Sequence, residues 1–411
     1  MIEHFFPNSV VVDCLHSGPL GHYIDAFAQQ LAAQGYAKSS AQHKLRLVNH
    51  FSRWLDDQDL AVAEIDEQTI HHFLDYPNQH VHLRGGDCAT LRILLTQLRD
   101  QGVVTTFPPE IDNLHFQIES DFNHYLTRQR NLAASTIDSY LEVVHRFLGQ
   151  RFDQQRPELE SLCTEDVTRF MLAQSQRYSS ARAKLIATAL RSFFRFLFQR
   201  GVIAIDLSKS VPTVAHWHLS TLPRFMSADE VSCLLQACDQ RTAQGRRDYA
   251  ILLLLARLGL RAGEVAALTL DDLDWERAEL LVKGKSSRRE RLPILHDVGE
   301  ALTNYLYDGR PVCATRQVFV CLRAPQRGFA NGQAVSTIVR RTLVRAGLKP
   351  PLKGAHLLRH SLATELLRNG ASLVEIGELL RHRNLKTTQI YAKVDQATLS
   401  VLAQPWPGGQ S

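Results

Sequence analysis

The chain has 411 residues, a net charge of +5, 45% hydrophobic and 22% charged residues, the balance of an ordinary soluble globular protein with room for two or three separately cored domains. Seven scattered cysteines with no CxxC pair argue against a disulfide framework and predict reduced, mostly structural thiols in a cytoplasmic protein. The most apolar run, Ile251–Leu260, is broken by Arg257 and falls far short of the ~20 residues that cross a bilayer; the opening MIEHFFPNSVVVDC lacks the pattern of a secretory signal. Mild basicity admits nucleic acid as a partner without arguing for it.

In chain order, the first half carries a faint duplication. FAQQLAAQGYAKSSAQHKLRLVNHFSRWL begins at Phe27 and FNHYLTRQRNLAASTIDSYLEVVHRFL at Phe122; IDEQTIHHFL then aligns with CTEDVTRFM, setting Phe73 against Phe170, and LRILLTQLRDQGVV with LRSFFRFLFQRGVI. Each copy predicts about four amphipathic helices, with apolar residues at i, i+3, i+4 and i+7. VVTTFPPE interrupts the pattern between the copies. SKSVPTVAHWHLSTLPRF, with two prolines and no period, reads as a linker. The expected domains are a helical module at 1–108, a second at 112–207, a linker at 208–225, a larger domain at 226–400 and a tail at 401–411.

Ser227 and Glu230 form a capping-box signature that opens the larger domain. Helices are expected at 227–240, 246–258, 262–268, 297–308, 332–346, 357–369 and 372–381, with a tight turn at Gly259. AELLVKG and RERLPIL predict a β-hairpin with Lys285 between its strands. The fold class is therefore mainly α with a small antiparallel sheet.

His356, Arg359, His382 and Tyr391 fall within a single stretch near the C-terminus, and Arg261 and Lys285 lie upstream. Two imidazoles, two guanidiniums, an ammonium and a phenol suit a single chemistry, in which positive charge surrounds a phosphodiester while the tyrosine attacks it. Phosphodiester cleavage builds charge on non-bridging oxygens, and arginine's planar fork matches phosphate and keeps its proton. Arg359 follows His356 by three residues, so both project from one helix face. His356 and His360, at i and i+4, also have the spacing of a zinc pair, but no third ligand stands at a suitable distance, and no metal is expected. Lys283, Arg288 and Arg289 compete with Lys285 as the hairpin's functional cation.

LGLRAGEVAALTLDDLDW, GKSSRRERLPIL, HLLRHSLATELL and LLRHRNLKTTQIY together resemble the boxes of the tyrosine recombinases of the phage integrase family, akin to the bacterial Xer and mobile-element recombinases. The resemblance covers about 222–400, and more weakly the half before it, which fits a helical SAM-like core-binding domain. It implies a DNA breaking-rejoining fold. It also implies that Tyr391 attacks DNA to give a 3′-phosphotyrosyl link, that Arg261, Arg359 and His382 hold the phosphate, that Lys285 protonates the 5′ oxygen, and that His356 assists proton movement at the nucleophile. Glu264 would orient that site. Double-stranded DNA is the implied partner, clamped between core-binding and catalytic domains by a homo- or hetero-tetramer on two sites, in the cytoplasm at the nucleoid, with no cofactor and no membrane. Arg182, Lys184, Arg191 and Arg288 are candidate DNA contacts. Arg381, where the family usually has a small residue, is another. The rival readings are a type IB topoisomerase-like or hairpin-resolving enzyme and a non-cutting accessory subunit.

Overall fold

The computed structural model describes residues 2–76, 86–104, 114–152, 158–215, 224–284, 289–382, 384 and 387–394. The chain divides into two compact units, residues 1–105 with 221–411, and residues 106–220.

In the first unit, the N-terminal part comprises α1 (Ile2–Phe5), α2 (Ser9–His16), α3 (Ile24–Ala33), α4 (Lys38–Asp57), α5 (Glu67–Asp75) and α6 (Asp87–Asp100). Helix α4 shows why the chain folds this way. Ala41, Leu45, Val48, Phe51 and Leu55 recur every three or four residues and all are buried, so one stripe faces the core. The Asp66 carboxylate accepts the Thr69 amide at 2.7 Å and caps α5. At the end of α6, Gly102 turns left-handed (φ 70°), which lets the Val103 amide return to the Leu98 carbonyl at 3.0 Å.

The second unit holds α7 (Leu114–His124), which runs into a wider turn at Tyr125–Gln129, then α8 (Ala134–Phe152), α9 (Thr164–Arg177) and α10 (Ser180–Gln199). Phe147 meets Phe170 edge-on with centroids 5.2 Å apart; in the first unit Phe51 and Phe73 meet at 4.9 Å. Helix α10 ends as α6 does, with Gly201 at φ 69° and the Val202 amide on the Leu197 carbonyl at 3.0 Å. The same aromatic pair and the same helix stop thus recur, in the same order, in both units. Leu207 and Val211 are buried in this second core, so the run from Ser208, expected as linker, begins as packed structure.

The remainder of the first unit is built around α12 (Ala243–Arg257), whose residues 250–255 are buried on every side. It packs against α11 (Ala228–Gln236), α13 (Ala262–Ala267), α14 (His296–Asp308), α15 (Gly332–Arg345) and α16 (Ala355–Arg368). The expected capping box forms at α11, with Ser227 and Glu230 exchanging hydrogen bonds at 2.8 and 3.2 Å. Strands β1 (Leu273–Asp274), β2 (Glu279–Lys283) and β3 (Arg289–Pro293) form one antiparallel sheet in that order, with Lys283 opposite Arg289 at the loop end of the hairpin. After α16 come α17 (Leu373–Leu379) and a 3-10 helix, Gln389–Val394.

Candidate active site

Three separate stretches supply the site, and the first begins where α12 stops. Gly259 has φ 55°, and a β-carbon there would lie 2.7 Å from the Leu380 side chain, so only glycine fits. Arg261 follows as the N-cap of α13. Its backbone amide and its guanidinium both donate to the Glu264 carboxylate, at 2.8 and 2.6 Å. Glu264 is buried. Desolvation alone would raise its pKa, but the Arg261 amide and the charges of Arg381 and Arg261 outweigh burial and hold it below the usual range.

The second stretch is α16. Arg359 is 3% exposed, and its guanidinium donates to the carbonyls of Gly259 and Leu380. Both carbonyls lie just past helix C-termini, where backbone oxygens lack helical partners and the helix dipole is negative. Burial, then repulsion from Arg261 and Arg381, pushes the Arg359 pKa down to about 10, so it still carries its charge at neutral pH. His356 stands exposed one turn earlier; desolvation of its ring and the charges of Arg359 and Arg261 lower its pKa.

The third stretch leaves α17 through a tight C-terminal motif. The Arg381 amide bonds the Glu378 carbonyl and the His382 amide the Gly377 carbonyl, both at 2.9 Å, a geometry that needs a left-handed residue at position 381. Arg381 supplies it with φ 56°. The turn places His382, whose Nδ1 lies 2.8 Å from the Thr388 hydroxyl. Tyr391 is 1% exposed and packs with Ala363, Ile376 and Leu380. Its ring lies parallel to His382 with centroids 6.5 Å apart. Its hydroxyl is 2.9 Å from Nδ1 of His360. Burial pushes the phenol up to about 12 against the pull of Arg359, while burial and neighbouring cations press His382 and His360 down to about 4.

The structure therefore pairs Arg261 with Glu264, stacks Tyr391 near His382 and seats Arg359 on the Gly259 and Leu380 carbonyls beside them, with His356 at the edge. Lys285 and Arg288 lie outside the described residues. Their rival Lys283 is committed elsewhere, its ammonium 2.9 Å from buried Asp272. Two expectations need correction. Arg381 is no surface contact for DNA: its side chain is 5% exposed and paired with Glu264 at 2.8 Å, because the left-handed turn drives it inward. The imidazole on the Tyr391 hydroxyl belongs to His360, not His356. Among the remaining DNA candidates, Arg191 is engaged by the carbonyls of Val211 and Pro212 and the Thr213 hydroxyl, and Arg182 pairs with Glu142 at 2.8 Å. Lys184 is exposed.

Residues 224–398 match the phage integrase family and residues 120–201 the N-terminal SAM-like domain of phage integrase. A Sinorhizobium fredii (strain NBRC 101917 / NGR234) protein carrying the name integrase/recombinase y4rA is 43% identical over 394 residues, covering 95% of each chain. The chain belongs to the phage integrase family. The recombinase is also 33% identical to the tyrosine recombinase XerD of Listeria monocytogenes over 285 residues, 68% of its own length and 94% of XerD. Site-specific tyrosine recombination is the activity these relatives assign. Two solved structures share the fold: XerH bound to palindromic difH (21% identity, TM-score 0.52, 69% of the recombinase and 83% of XerH), and a lambda integrase dimer bound to a COC′ core site (17%, 0.51, 72% and 98%). No helix among the described residues is long and apolar enough to cross a membrane.

Proposed function

We propose that the recombinase cuts DNA with Tyr391, forming a 3′-phosphotyrosyl link and a free 5′-hydroxyl, and rejoins the strands to move or resolve a mobile element. One observation carries this reading. Segments at 259–264, 356–361, 380–382 and 388–391 converge on a buried tyrosine, and the carboxylate bonded there, Glu264, is already committed to Arg261 and Arg381. The excess positive charge favours an anion, and a phosphate meets it with several acceptor oxygens. In this reading Arg261, Arg359 and His382 hold the non-bridging oxygens. Lys285, which follows β2 in the sequence, protonates the departing 5′ oxygen, and the capture of Lys283 by Asp272 supports that choice. Glu264 orients Arg261. The covalent link conserves the energy of the broken bond, so neither ATP nor metal is needed for exchange.

The SAM-like match at 120–201 supports 112–207 as the core-binding domain, with Lys184 as a phosphate contact. The lambda integrase tetramer on a Holliday junction, which shares the fold, supports a tetramer on two duplex sites. The relatives named integrase/recombinase favour a mobile element, with the protein working in the cytoplasm on the nucleoid.

The test uses sheared genomic DNA from the source organism and the full chain. Wild-type protein is expected to become covalently attached to a restricted set of fragments, and Tyr391→Phe to capture none. Absence of any covalent capture by the wild type would remove the reading. Joining of two captured sites, rather than relaxation of a supercoiled plasmid alone, separates recombination from topoisomerase action.

A further inference from the structure

The group hydrogen-bonded to the nucleophile lies outside the six residues the motifs single out. His360 Nδ1 sits 2.9 Å from the Tyr391 hydroxyl, while the His382 Nδ1 is taken by Thr388 and His356 is a turn away along α16. The phenol is protonated at neutral pH and its oxygen is buried, so attack on phosphorus requires a partner that accepts the proton as the bond forms. A neutral imidazole has one acceptor nitrogen, and with the ring proton on Nε2 that acceptor is Nδ1, the nitrogen facing the hydroxyl.

On the proposed function of Tyr391, we infer that His360 is the catalytic base for the nucleophile. As the phenolic oxygen bonds to phosphorus, its proton passes to His360 Nδ1. The bond from phosphorus to the 5′ oxygen breaks, and that oxygen takes a proton from a separate acid, the Lys285 ammonium in the proposed scheme. Rejoining reverses both transfers: the 5′-hydroxyl returns its proton to the acid's conjugate base, and the imidazolium reprotonates the departing phenolate. The groups facing His360 are His356 and Arg359 on its own helix, Tyr391 on the 3-10 helix and His382 beyond it. Burial, then His356 and Arg359, keep His360 neutral in the free protein. A phosphodiester seated among the cations adds a negative charge and raises its basicity when it is needed.

The test is single-turnover cleavage of a nicked duplex built from a fragment that wild-type protein captures, with the full chain. His360→Ala is expected to form the covalent complex about 10²–10⁴-fold more slowly at pH 7, with the deficit shrinking as pH rises toward phenol ionisation and DNA affinity unchanged. His360→Asn places an oxygen near the Nδ1 position, so it keeps the hydrogen bond and the packing but cannot carry the proton, and is expected to stay slow. A 5′-bridging phosphorothiolate, whose sulfur leaves without an acid, is expected to rescue neither variant. Rates of His360→Asn within threefold of wild type at pH 7 would overturn the inference, as would a deficit independent of pH, or rescue by the phosphorothiolate. Since the substrate is one the wild type cuts, any of these results leaves the function of Tyr391 standing.

Discussion

Arg381 holds a left-handed backbone, φ 56°, that costs a side chain about 1–2 kcal/mol relative to glycine. It also buries a guanidinium whose Nε and one terminal nitrogen make no hydrogen bond, a further cost of about 1–3 kcal/mol for each donor. Nothing in packing requires this, so its value lies in the carboxylate it shares with Arg261. Arg381→Gly is expected to slow strand cleavage about tenfold, the scale of one lost charge-assisted bond of about 1.4 kcal/mol. Because the side chain is not at the surface, the salt dependence of DNA binding should not change; a shallower salt slope would return Arg381 to the phosphate contacts. The family resemblance points to Arg261, Arg359, His382 and Tyr391, because each sits in a compact box. The burial of Arg381 and the bond from His360 were not legible, since both depend on α17 and the 3-10 helix folding back onto α16. An arginine or histidine met in sequence is more often exposed.

At the scale of elements, the matched pairs Phe51–Phe73 and Phe147–Phe170 seat the central helices of their cores. Phe51→Ala and Phe147→Ala are each expected to cost about 3–5 kcal/mol, measured by urea unfolding; a loss below about 1 kcal/mol at either would show that its core can collapse around the gap. Gly259→Ala adds a methyl 2.7 Å from Leu380 to a left-handed backbone, for a cost of about 2–4 kcal/mol from strain and overpacking. Helical periodicity locates most helices well: it predicts 246–258, and Ala243–Arg257 is found. The first helix of the larger domain stops early, at Gln236, because the chain turns at once through Asp239–Thr242, where the Thr242 amide bonds the Asp239 carbonyl at 3.0 Å. Tyr391 lies inside a 3-10 turn. Such short turns rest on tertiary contacts rather than on a periodic pattern.

Across the whole molecule, two histidines set the acid limit of stability. His360 and His382 titrate at about 4 in the fold and near the usual ~6.5 when unfolded. Between those values the unfolded chain binds protons the folded one refuses, so stability is full above about pH 6.5 and falls toward pH 4. Tyr391 acts at the other end: held at about 12, it keeps a proton that the unfolded phenol releases near ~10, so stability falls again above that pH. With buried Cys238 held at about 11 against ~8.5 for a free thiol, thermal melts should show a plateau between about pH 6.5 and 8.5, and His360→Asn should soften its acid edge; an unchanged edge would show that other groups control it. The Arg359 guanidinium, gripped by carbonyls from positions 259 and 380, has one more consequence. A buried cation with one anchor missing is strongly destabilised, so the charge settles only when both distant stretches of chain have arrived. A nascent or truncated polypeptide lacking the residues beyond Leu379 cannot seat it. Seating of this one cation thereby couples the ordering of α16 to the arrival of the turn at Leu380.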